Sequence, residues 1–214
     1  MSRRSINAII GPQGCGKGTN AKRLATHIEA EHVEMSTLLR ERAAVDDALG
    51  HYIKTTMDAG ELVKSEVVIE VLIGAMDRFG WGRIILDGFP RQLEQAEIIV
   101  ELATRGYEVN VAIFELPDEI CLKRLVVRLK EFEDEQKACA ERGEPPLTPR
   151  KDDETIEGRK KRLRQYRENE LIINPYLEKH LGNRVHYIPA HGNKDEVFAT
   201  LVGALRLREH IFMN

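Results

Sequence analysis

Short apolar runs alternate with amphipathic stretches along most of this chain. Segments 5–10, 82–86, 109–116 and 185–188 are strand-length and mostly apolar, which predicts strands buried on both faces, with 32–34 a weaker fifth. Between them, residues 65–79 place Val67, Val68, Val71, Leu72, Ala75, Met76 and Phe79 on one helical face, with Ser65 as the expected N-cap. Residues 92–104 read as another helix. Pro117 opens a further one, with Asp118 and Glu119 in its first turn, where the helix dipole favours acids. This alternation predicts an α/β fold: a parallel five-stranded sheet with helices on both faces and ligands at the carboxyl ends of the strands.

Two segments break the rhythm. Residues 35–63 are helical in pattern and strandless, inserted between the second and third expected strands. Residues 131–153 open on Glu131, Glu133, Asp134 and Glu135, pass through a glycine- and proline-containing stretch, and close on Arg150-Lys151-Asp152-Asp153. That composition fits a structured surface excursion better than a core element.

The first strand runs into Gly11-Pro12-Gln13-Gly14-Cys15-Gly16-Lys17-Gly18-Thr19, and a helical stretch follows from Thr19. Glycines at this spacing let successive backbone N–H groups turn inward around phosphate oxygens, and the following helix adds the positive end of its dipole. Lys17 supplies a mobile charge for the outer phosphates, and Thr19 an oxygen near a metal ion. Gly18 departs from the usual spacing by separating the lysine from the hydroxyl. The loop predicts a nucleoside triphosphate as ligand.

Bulk properties narrow the setting. At 214 residues, 42% hydrophobic and 31% charged, the chain has the composition of a soluble globular protein. A net charge of −3 gives no sign of a nucleic-acid surface or a polybasic membrane patch. Cys15, Cys121 and Cys139 are odd in number and widely separated, which argues against a disulfide scaffold and a structural zinc site. Met1-Ser2-Arg3-Arg4 leads directly into the first strand without a signal-type apolar region. The expectation is a cytoplasmic protein that binds neither nucleic acid nor membrane.

A second cluster follows the strand 82–86: Asp87-Gly88-Phe89-Pro90-Arg91. A carboxylate at the end of a buried strand is placed to hold waters of a phosphate-bound magnesium ion, and Arg91 offers a planar fork to a phosphate. Arg124 and Arg128 share one helix face at i, i+4, while Arg40, Arg150 and Arg162 lie in or just after the two inserts. Several convergent cations would suit a site holding two phosphorylated substrates, whose phosphates carry roughly four to six negative charges.

Together these motifs resemble the adenylate kinases and their relatives among the nucleoside monophosphate kinases. The similarity runs through Gly14-Cys15-Gly16-Lys17-Gly18-Thr19, Leu39-Arg40, Met57-Asp58-Ala59-Gly60-Glu61-Leu62-Val63, Asp87 to Arg91 with Gln95, Arg124 with Arg128, Arg150-Lys151-Asp152-Asp153, and Arg162-Leu163 with Tyr166. The resemblance implies a three-layer αβα P-loop core (1–34, 64–126 and 154–214), a helical monophosphate-binding flap (35–63) and a lid (127–153). It implies that Gly14, Cys15, Gly16, Lys17, Gly18 and Thr19 cradle ATP phosphates, with Arg124 and Lys194 beside the adenine. Arg40 and Arg91 would hold the phosphate of AMP. Met35, Glu61, Leu62, Val63, Gly88, Phe89, Pro90 and Gln95 would line its pocket. Arg128, Arg150 and Arg162 would clamp the transferring group, and Thr19 and Asp87 would serve magnesium through water. The implied enzyme is a monomeric phosphotransferase of nucleotide metabolism, using ATP, AMP and Mg2+ and no structural zinc.

The chain also departs from the family pattern. Met35-Ser36-Thr37 stands where Thr-Gly-Asp is usual, which removes a base-contacting threonine and a second carboxylate near the metal waters. Gln13 replaces a common proline, and Asn20 a glutamine. The lid lacks zinc-binding cysteines and reads as an acidic helix. An extra residue before Arg162 leaves Arg159 as a rival for the clamp, with Arg162 preferred because Leu163 and Tyr166 follow it at the family's spacing. A kinase for UMP or CMP, and a degenerate nucleotide-binding paralogue acting as sensor or assembly factor, remain as alternatives.

Overall fold

Side chains of the central strands alternate between two cores, which is why those strands are apolar on both faces. The computed structural model describes residues 4–145 and 155–206. Its strands are β1 (Ser5–Ile10), β2 (Glu31–Glu34), β3 (Arg83–Asp87), β4 (Glu108–Glu115) and β5 (Val185–Pro189). They form one parallel sheet in the order β2-β3-β1-β4-β5. Ile6, Ala8 and Ile10 of β1, Ile84 and Leu86 of β3, and Val109, Val111 and Ile113 of β4 enter the larger core. Ile9, Ile85, Ala112 and Phe114 point into the other. The period of two in side-chain direction therefore feeds both layers from each strand.

Helices cover the two faces. They are α1 (Lys17–His27), α2 (Met35–Ala43), α3 (Ala48–Asp58), α4 (Ser65–Phe79), α5 (Leu93–Thr104), α6 (Asp118–Glu141), α7 (Ile156–Leu181) and α8 (Lys194–Ala204). Helices α2 to α5 and the second half of α7 close the larger core through residues such as Leu38, Ile53, Leu72, Ile99 and Leu177. α1, α8 and the start of α6 close the smaller one through Leu24, Leu201 and Cys121. Burying a side chain such as Leu24 or Ile53 completely contributes about 1.5–3 kcal/mol each.

Two local expectations change. Ser65 is the first residue of α4, not its cap: Lys64 occupies that position, and the Ser65 hydroxyl is engaged by the side chains of Gln92 and Glu94. Phe79, at the helix end, is 41% exposed and leaves the buried stripe, where Val68, Leu72, Ala75 and Met76 remain.

Both inserts are helical where described. α2 and α3 fill most of 35–63. The expected lid boundary at residue 127 falls inside α6, which runs unbroken from Asp118 to Glu141. At its end Arg142 bonds Glu135 and Glu144 at 2.9 and 2.8 Å.

Candidate active site

Residues 11–16 connect β1 to α1 as a loop held by close contacts. Gly14 takes a left-handed φ of 83°, and a Cβ there would stand 2.6 Å from the carbonyl oxygen of Cys121. Only glycine combines that backbone with that approach, so the loop can press against the first turn of α6. The helix begins at Lys17, two residues before the expected Thr19, with Gly16 as its N-cap and no capping side chain. Uncapped N–H groups of a first turn are donors available to phosphate oxygens. A Cβ on Gly18 would lie 3.1 Å from Asp87 Oδ2, so the carboxylate at the end of β3 rests against this same turn.

Lys17 is half-buried, and its Nζ donates to the carbonyl of Pro12 at 3.2 Å. Burial holds its pKa below the ordinary lysine value; Asp87 acts to raise it, while Arg91 and Arg162 lower it further. An incoming phosphate would offset both the desolvation and the like charges. Burial also raises the Cys15 thiol despite nearby Lys17, so Cys15 presents a neutral wall rather than a thiolate nucleophile.

Two cavities open at the carboxyl ends of the strands, in keeping with the rule for open α/β sheets. One is lined by the loop and α1 start, by Asp87, Arg124, Arg128 and Lys194, and by the segment around Gly192 and Asn193. The other lies under α2 and α3, lined by Met35, Arg40, Glu61, Leu62, Val63, Gly88 and Gln95. Gln13, Ser36, Arg91 and Arg162 line both. The arrangement gathers cations where two anionic ligands would meet, inside a protein of net charge −3.

Most residues singled out from the sequence reach these cavities. Gly14, Cys15, Gly16, Lys17, Gly18, Thr19, Arg124, Arg128, Lys194 and Asp87 line the first. Phe89 and Pro90 line neither: Phe89 has no exposed surface and packs in the larger core, and Pro90 is buried beside it in sequence. An apolar ring following a buried strand gains more from the core than from a wet cleft. Arg150 lies outside the described residues, as does Asp153. Of the two rival arginines on α7, Arg162 lines both cavities, whereas Arg159 is 4% exposed and lines neither.

Local hydrogen bonds fix several of these groups. The Arg91 backbone N–H donates to Gln95 Oε1 at 2.8 Å, and Arg91 Nε donates to the carbonyl of Gly88 at 2.8 Å. Arg124 Nη1 donates to the carbonyl of Cys15 at 3.4 Å, tying α6 to the loop. Asn193 caps α8 through a capping box with Glu196, which sets the turn carrying Lys194.

The structure also brings in residues that sequence reasoning missed. Glu34 ends β2 level with Asp87 and lines the loop cavity, so a second carboxylate is present although Thr37 replaces the usual acid. Its place at a strand's carboxyl end was the available signal. Gln165 and Asn169 line the second cavity with Arg162 and with Tyr166, which the sequence had already marked. Their i, i+3, i+4, i+7 spacing marks one helix face, a polar stripe legible in the sequence. Among the described residues no group of three or more His, Cys, Asp or Glu side chains could hold a metal ion. No described helix is long and apolar enough to cross a membrane.

A protein-family model described as adenylate kinase matches residues 9–181. An adenylate kinase of Deinococcus radiodurans is 30% identical over 207 residues, covering 96% of this chain and 98% of that protein. One from Phocaeicola vulgatus is 32% identical over 203 residues, covering 92% of this chain and 96% of its own length. One from a Synechococcus strain is 42% identical over 128 residues, covering 58% of this chain and 65% of that protein.

Proposed function

This chain belongs to the adenylate kinase family and is a phosphotransferase acting on nucleoside monophosphates, and from that premise we propose that it transfers the γ-phosphoryl group of Mg-ATP reversibly to AMP, giving two ADP. The observation that carries this reading is the pair of cavities sharing Arg91 and Arg162. Two nucleotides seated with their phosphates toward that wall would meet end to end.

In this reading the loop cavity takes ATP. N–H groups of residues 14–19 and Lys17 hold its phosphates, and Arg124 and Lys194 flank its base. The other cavity takes AMP, with Arg40 and Arg91 on its phosphate and Met35, Glu61, Leu62, Val63, Gly88 and Gln95 around its nucleoside. Arg128, Arg150 and Arg162 steady the phosphoryl group in passage. Residues 35–63 act as the flap and 127–153 as the lid, with the core formed by 1–34, 64–126 and 154–214.

The oxygen donors near the ATP phosphates suit magnesium. Thr19 and Asp87 line one cavity, and the Asp87 carboxylate abuts the first turn of α1 at Gly18. These two residues would hold the ion through its waters, and when bound it supplies charge neutralisation at the phosphates. No structural zinc enters the scheme.

No side-chain nucleophile is required, because the acceptor phosphate is already anionic at neutral pH. The protein's part is to align donor and acceptor, stabilise the charge on the moving group and exclude water, which would otherwise compete as acceptor. A coupled assay across AMP, GMP, CMP and UMP tests the reading. AMP is expected to be the preferred acceptor; equal turnover of UMP would replace the adenylate assignment with a broader monophosphate kinase.

A further inference from the structure

The wall common to the two cavities contains one side chain with no assigned task. Ser36 Oγ donates to Glu34 Oε1 at 2.5 Å, and Arg91 is anchored to Gly88 through its Nε. Gln13 also lines both cavities, immediately before Gly14, yet its Oε1 is shielded from solvent and has no hydrogen-bond partner among the described residues. With the oxygen turned inward, the amide nitrogen Nε2, neither buried nor hydrogen-bonded among the described residues, is the polar end left toward the cavities.

The neighbours indicate which ligand atom is met. Arg91 and Arg162 share this wall, so the group passing it is anionic and offers acceptors only. The Nε2 N–H groups of Gln13 are donors, so the amide as oriented suits such a group. We propose that Gln13 is a catalytic residue, its Nε2 donating a hydrogen bond to an oxygen of the phosphoryl group in transit. This rests on the two cavities holding ATP and AMP.

The step balances without involving the amide covalently. An oxygen of the acceptor monophosphate forms a bond to the γ-phosphorus. The bond from that phosphorus to the β–γ bridging oxygen breaks, and its electron pair stays on the departing ADP. Gln13 neither gains nor loses a proton; it stabilises the oxygens of the group while charge is spread across them.

The test compares Gln13→Met, which keeps the shape without the hydrogen bond, with Gln13→Glu, which replaces the amide by a carboxylate. Each is measured for kcat, for KM of ATP and AMP, and for affinity of the magnesium complex of ADP, aluminium fluoride and AMP, a mimic of the reacting state. Gln13→Met is expected to lower kcat and that affinity together, by about 10- to 100-fold, with both KM values within about twofold. Gln13→Glu is expected to lose more, because a second anion faces the phosphoryl group. Gln13→Asn, which keeps the amide but withdraws it by one methylene, is expected to fall between wild type and Gln13→Met. It also serves if Gln13→Met does not fold. Wild-type kcat and analogue affinity in Gln13→Met, or full activity in Gln13→Glu, would overturn the proposal while leaving the cavity assignment standing. Wild-type protein that fails to assemble the analogue complex with ADP and AMP would overturn both.

Discussion

The backbone N–H of Arg91 donates to Gln95 Oε1 at 2.8 Å, so the arginine proposed for the AMP phosphate and the amide proposed for its base are fixed to each other. An N–H must face an oxygen, and this contact therefore orients the Gln95 carboxamide. Nε2 is left as the donor for a ring nitrogen, and the second lone pair of Oε1 can accept from an exocyclic amine.

Under the proposed reading, that orientation makes Gln95 the expected main source of acceptor discrimination. Met35, lining the same cavity, offers only apolar contact. Gln95→Ala is expected to erode the preference for AMP over CMP and UMP by roughly five- to 150-fold, the equivalent of about 1–3 kcal/mol for one lost hydrogen bond. Gln95→Glu keeps the contact to Arg91 but loses the donor, and is expected to erode the preference with little change in melting temperature. Competition assays with paired monophosphates read the ratio directly.

Lys17 is the second point of attack. Lys17→Met should lower kcat by a hundredfold or more while leaving the circular-dichroism spectrum and melting temperature close to wild type. Burial displaces its pKa downward, so the cation is lost at a lower pH than an ordinary lysine would lose it. Raising the pH through that lowered pKa removes the charge facing the phosphates, and kcat/KM for ATP is expected to fall on this limb. Lys17→Arg, charged throughout the accessible range, should shift the limb upward even if its maximum rate is lower.

The rival arginines separate into different phenotypes. Arg162→Ala removes a cation from the wall shared by both cavities and should cost about a hundredfold in kcat without loss of fold. Arg159 is buried and off the cavities, so Arg159→Ala should instead lower the melting temperature, the folded fraction retaining kcat within a few-fold of wild type. Reversal of the two results would move the clamp to Arg159.

The lid proposal makes a prediction about hydrogen exchange. Arg128 sits on the loop cavity, and α6 continues beyond it without a break to Glu141. If the second half of this helix closes on the donor phosphates, a two-nucleotide bisubstrate analogue should protect residues 127–153 far more than AMP alone. Equal protection by both ligands would detach the lid from the ATP side.

Much of this architecture was legible in the chain because its determinants are local. Apolar runs bounded by glycine and charge marked the strands, and the phosphate loop, needing glycines and a lysine at fixed intervals, could be read at Gly11 to Thr19. Ser65 shows the limit of that kind of reading: a serine before an apolar helix resembles a cap, but contacts from Gln92 and Glu94 draw its hydroxyl elsewhere. Phe89 shows it again, since adjacency to Asp87 and Arg91 did not reveal that its ring enters the core.

By itself, then, the sequence determined the parallel αβα core, the loop after β1 and the set of charged residues available to phosphates, all properties of short segments and their periodicity. The tertiary structure decided which of those charges converge. Parallel pairing set Glu34 level with Asp87, and the path of α7 carried Arg162, which the sequence already favoured over Arg159, to the wall that Arg91 and Gln13 also form. Such placements depend on strand order and helix docking between residues far apart in the chain, where spacing along the backbone carries no information about distance in space.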